Sequence, residues 1–260
     1  MWPFTRKPIV DDDTAAWHTD NFAWLIRQFG GAAGLAQSKL ILPGPGFFVA
    51  EGETGHALAL RIFDQVKAYC GMSDWEVDLV ADDNPLADRD PRSLAMVAPQ
   101  KHALGTFGVA GNRIVISYVP SLLKRPDHLI ATLAHELAHY LLATRREPPP
   151  CEDDEREFLT DLAAVYLGFG VFLANGRFYH ESYQAGTMHG WRIGHSGYLP
   201  EPDLIFALAL FIQIKAIDPA PAISCLKPHL AAMLRRTLRD LAKREAMLAP
   251  ILDAMNPQPS

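Results

Sequence analysis

The chain has 260 residues, 49% hydrophobic and 21% charged, with a net charge of −6. That balance suits a folded protein able to bury a substantial core, as one large domain or a domain with a helical annex. It gives no electrostatic footprint for nucleic acid: basic residues gather only around 235–244, a run that reads as a solvated helix face.

Three cysteines, Cys70, Cys151 and Cys225, lie far apart without CxxC spacing. They argue against a disulfide framework or a cysteine zinc site and fit a reducing compartment. The N-terminal residues run into Asp11-Asp12-Asp13 without an apolar stretch of signal-peptide type. The most apolar runs, 162–174 and 204–217, fall short of the roughly 20 residues a membrane span needs. A cytoplasmic protein with no membrane partner is expected, and the oligomeric state is left open.

In chain order, residues 14–29 carry Trp17, Phe22, Trp24, Leu25 and Phe29 at helical spacing, with Asp13 or Thr14 as cap. Residues 39–42 read as a short strand ended by Pro43-Gly44-Pro45-Gly46. A helix over 56–69 follows, with Gly71 as its stop, and His56 reads as a surface residue. The alternation of Val77, Leu79 and Ala81 predicts a strand over 76–81. Residues 82–92 form a polar loop whose acidic groups lack the spacing of a calcium loop. Short strands are expected over 93–98, 106–109 and 113–119, the last two paired antiparallel around Gly111-Asn112.

Pro126 and Asp127 suit the start of a helix running to Ala143. The three prolines before Cys151 force a loop, and a largely apolar helix is expected over 153–174, ended by Asn175-Gly176. Residues 177–200 show no period, 201–217 and 229–248 read as helices, and 250–260 as a fraying tail. Strands before residue 120 and helices after it give an α+β class.

Within the helix starting at Pro126 lies His135-Glu136-x-x-His139. Residues four apart share a helical face, so the two imidazoles can converge on one divalent ion such as zinc, with Glu136 beside it as a possible base. The next helix offers Glu157 and Asp161, again four apart. Asp161 falls in an apolar segment, where a carboxylate needs a partner or a metal. With the two helices antiparallel, Glu157 can be third ligand, with Asp161, Glu155 and Glu152 as further candidates. Asp161 can also accept a proton from the far nitrogen of a histidine. Cys151 near the motif has no base at a spacing that would make it a nucleophile.

His135-Glu136-x-x-His139, with Glu157 18 residues on and Asp161 after it, resembles the gluzincin group of zinc metallopeptidases, of which thermolysin is the familiar member. The resemblance spans roughly residues 110–175, and 158–176 is also similar to a bacterial group without an assigned activity. It implies a zincin-like fold: a small mixed or antiparallel sheet, the motif helix, the glutamate helix and a helical C-terminal part. The catalytic core would be 1–176, with 177–260 as a loop and helical subdomain packed on it. It implies zinc held by His135, His139 and Glu157, Glu136 as general base, Asp161 orienting a zinc-bound histidine, and peptide or protein substrates. Residues 113–119 fall where these enzymes keep the edge strand that holds an extended peptide. Spacing selects no counterpart of the family's oxyanion-stabilising His or Tyr; Tyr179, His180, Tyr183, His189, His195 and Tyr198 are the candidates. The competing reading is a non-catalytic module, braced by zinc, that binds a partner or regulates one.

Overall fold

A computed structural model describes residues 7–82, 105–110, 113–176 and 198–256 of the chain. Within them the fold is mixed α+β and mostly helical. Helix α1 (Asp12–Gln28) is capped by Asp11, earlier than the sequence predicts, and the Asp11 Oδ1 accepts the Thr14 N–H at 2.8 Å. Asp12 and Asp13 in the first turn complement the positive end of the helix. A short helix that the sequence did not announce, α2 (Gly31–Gln37), follows, and the Lys215 ammonium donates to its last carbonyls, Leu35 and Ala36. Helix α3 (Gly55–Tyr69) ends where Gly71 adopts φ +70°.

Strands β1 (Val77–Ala81), β2 (Gly105–Ala110) and β3 (Arg113–Tyr118) form one sheet in the order β1-β3-β2. β2 and β3 pair antiparallel, as the turn signal between them predicted, while β1 runs parallel to β3 with Val77 opposite Ile114. The middle strand is therefore β3, bonded on both sides, and the expectation that it is the peptide-holding edge is corrected. Its run Ile116, Ser117 and Tyr118 is buried, as a covered central strand requires. The strand expected over 93–98, the loop after Asp82 and the Gly111-Asn112 turn lie outside the described residues.

Helix α4 (Pro126–Ala143) begins with Pro at its first position and is buried without interruption from Leu129 to Ala138. It packs against β2, β3 and α3, and on another side against α5 (Arg156–Tyr166). The long helix expected over 153–174 is in fact broken. A 3-10 turn (Asp153–Glu155) precedes α5, and Gly168 stops it at φ +103°. A Cβ there would lie 1.8 Å from the Lys39 carbonyl oxygen, so only glycine fits. The same turn explains residues 39–42: they are not a strand but a passing segment whose Ile41 N–H bonds the Gly168 carbonyl at 3.0 Å. Helix α6 is described over 170–176 and includes Asn175, whose side chain links onward to Cys225 and Lys227; whether Asn175-Gly176 ends it depends on residues outside the described ones.

Helices α7 (Glu201–Ile214), α8 (Ala220–Cys225), α9 (Pro228–Leu241) and α10 (Ala249–Met255) complete the chain. Of the expected tail, residues up to Met255 belong to helix α10, which has Pro250 in its first turn and the buried Ile251 and Ala254, and packs on α1; residues 257–260 lie outside the described ones. α7 packs on α5 and α9, so residues from both ends of the chain share one hydrophobic core. No helix among the described residues is long and apolar enough to cross a membrane.

Candidate metal centre

The regular turn of α4 places His135 and His139 on one face, their rings 4.8 Å apart and nearly perpendicular. Across from them, the first turn of α5 presents Glu157. Its Oε2 lies 3.3 Å from His135 Nε2 and 3.4 Å from His139 Nε2. The ligand-type atoms of these three residues all fall within 4.8 Å of one another. His135 is enclosed at 6% side-chain exposure, whereas His139 and Glu157, at 19% and 23%, open the cluster to one side.

What lies behind each imidazole decides which nitrogen it offers. His135 Nδ1 donates to Asp161 Oδ1 at 2.9 Å, and Asp161 Oδ2 accepts the Leu199 N–H at 2.8 Å. Asp161 is thus a bridge, buried to 4% exposure, rather than a ligand. His139 Nδ1 is 3.3 Å from the Thr160 hydroxyl. Both Nδ1 atoms are engaged on the far side, leaving both Nε2 atoms aimed at Glu157. Glu152 and Glu155, also considered for third ligand, are used by each other: the Glu155 carboxylate accepts the Glu152 N–H at 3.0 Å in a capping box of the 3-10 turn.

Three potential ligand atoms therefore converge. With Nδ1 of His135 donating to a carboxylate, its Nε2 can donate to Glu157 only if that imidazole takes up a second proton. A divalent cation would satisfy two Nε2 lone pairs and a carboxylate oxygen together, so the donor set fits zinc or a similar ion. The same groups also shift one another's proton affinities. Burial opposes a charge on His135, yet hydrogen bonds to Asp161 and Glu157 outweigh it and hold its proton affinity well above the ordinary range. Burial likewise raises the Glu157 carboxyl, and the two imidazoles bonded to it outweigh that, holding it well below the usual carboxylate range. The cluster thus favours a proton on His135 beside an ionised Glu157.

Glu136 is buried beside His135, and its negative charge adds to the pull on that imidazole's proton. Of the oxyanion candidates, Tyr198 is buried with its ring centroid 5.1 Å from that of His135. Tyr179, His180, Tyr183, His189 and His195 lie outside the described residues. Burial, and then the charge of Glu155, push the Cys151 thiol up to about 11, so it stays protonated at neutral pH and is a poor nucleophile. Sequence reasoning passed over Thr160, although it lies three residues after Glu157 on the face that carries Asp161. Comparison with family models, curated proteins and solved structures returns no match for this chain.

Proposed function

We propose that this protein is a zinc-dependent hydrolase of gluzincin type that cleaves peptide bonds in peptide or protein substrates. The observation that carries the reading is the convergence of His135 Nε2, His139 Nε2 and Glu157 Oε2, each imidazole held from behind at Nδ1. The sheet ahead of α4 and the helices behind it agree with a zincin-like core, and the partial opening at His139 and Glu157 suits a site that substrate must reach.

His135, His139 and Glu157 would hold the ion. Zinc, when bound, supplies Lewis acidity that acidifies water and polarises a carbonyl. Glu136 acts as general base, receiving the proton of the attacking water at its carboxylate and returning it to the leaving amine. Asp161 keeps His135 in the tautomer whose Nε2 is free to bind. Glu157 brings a negative charge that offsets part of the ion's positive charge in a half-buried setting.

The reading is tested by Glu136→Gln. That change is expected to leave the metal content unaltered and lower kcat/KM on a quenched peptide library by about 100-fold or more. A variant that cleaves like the wild type would remove Glu136 from the mechanism.

A further inference from the structure

We propose that Thr160 is a positioning residue for the metal centre, fixing the tautomer and ring orientation of His139 through a hydroxyl relay that ends on the backbone of α5. The inference rests on the metal-site reading above and adds a residue to it.

One proton decides the direction of the relay. The Thr160 hydroxyl has a single hydrogen, and Oγ1 donates it to the Arg156 carbonyl one turn earlier, at 2.9 Å. Toward His139 Nδ1, 3.3 Å away, the same oxygen can then only accept. His139 must therefore carry its hydrogen on Nδ1, which leaves the Nε2 lone pair on the side of Glu157. The anchor is firm because Arg156 and Thr160 lie within the first turns of α5, and Thr160 is buried at 1% exposure. Burial of a hydroxyl is costly unless it is bonded, and here both of its functions are used within the site.

Glu157, Thr160 and Asp161 thus occupy one face of one helix with three different tasks toward two imidazoles. The two histidines are backed unequally: His135 by a carboxylate, His139 by a hydroxyl. A carboxylate behind an imidazole strengthens it as a ligand, whereas a hydroxyl orients it without adding charge. His139 is accordingly the weaker and more exposed of the two donors, and its binding geometry depends on Thr160.

The test is zinc affinity by chelator competition, with thermal melting of the metal-free forms alongside. Thr160→Val removes the acceptor at nearly constant shape and is expected to weaken zinc binding about 10-fold. Thr160→Ser keeps the hydroxyl and is expected to stay within about 2-fold of the wild type, which a purely packing role would not produce. A Val variant that folds and binds zinc like the wild type overturns the inference. If that variant does not fold, nitrogen-15 spectra of the zinc-loaded wild type decide: a proton on His139 Nδ1 supports it, and zinc on Nδ1 overturns it. Wild-type protein that binds no zinc would defeat the metal reading itself, a separate outcome from either variant's result.

Discussion

The two helices that build the candidate centre present their side chains in different ways. α4 is 18 residues long, unbroken and buried through its middle, and its spacing alone brings His135 and His139 together. α5 has only 11 residues and is stopped by Gly168, so its place is set by distant chain: Tyr166 donates to the Phe29 carbonyl, Asp161 accepts from Leu199, and the Gly168 carbonyl accepts from Ile41. α4 thus places its two histidines by helical geometry, whereas α5 depends on tertiary ties to deliver Glu157.

Substitutions at the centre itself should have the largest effects. His135→Ala is expected to weaken zinc binding by more than about 100-fold, beyond what loss of a supporting residue costs. Asp161→Asn should cost about 10- to 100-fold. Its amide cannot accept from both His135 and Leu199, so the tie to residues 198–200 weakens too; isothermal titration would register both losses.

Gly168→Ala probes the difference between the helices from outside the centre. A side chain there meets the Lys39 carbonyl at positive φ, so a loss of about 3 kcal/mol or more in denaturant unfolding is expected. Because α5 carries Glu157, zinc affinity should fall with it. Ile251→Ala in α10, fully buried but remote from the cluster, is expected to cost about 2–5 kcal/mol while leaving affinity unchanged. If both variants left zinc binding alone, the dependence of Glu157 on the α5 junction would be refuted.

Much of the site was legible because its signals are local. Pro126 and Asp127 mark the start of α4, and four-residue spacing places His135 with His139 and Glu157 with Asp161. What stayed hidden depends on partners far along the chain. Gly168 in an apolar run looks tolerable in a helix until the Lys39 carbonyl is known to press against it. Residues 39–42 have the composition of a strand but find one bond at that junction instead of a sheet. The central position of β3 comes from a parallel partner, β1, that no turn signal announces. Residues 250–260 read as a fraying tail, yet Pro250 lies in the first turn of α10, whose apolar residues α1 covers. Thr160 was missed because a neutral hydroxyl draws no notice until both of its partners are in place.

The smallest expected effect concerns pH in the metal-free protein. His135, with raised proton affinity, contributes stability fully below its ordinary value of 6.5 and loses it as pH rises through its folded value. Glu157, held low, contributes fully above 4.5 and loses it as pH falls through its folded value. The stability gap between wild type and Glu157→Gln should therefore be widest between pH 4.5 and 6.5. Zinc uptake near pH 7 should also release about one proton, measured by calorimetry in buffers of different ionisation enthalpy.

The proposed binding of one ion by His135, His139 and Glu157 underlies every zinc prediction above, and metal content probes it without intermediaries. Protein purified without chelators and analysed by plasma mass spectrometry is expected to carry one divalent ion per chain. Glu136→Gln should retain that ion, and the double variant His135→Ala, His139→Ala should lose it. A wild-type chain that carries no divalent ion, or a double variant that keeps it, would show that these three side chains do not form a metal centre.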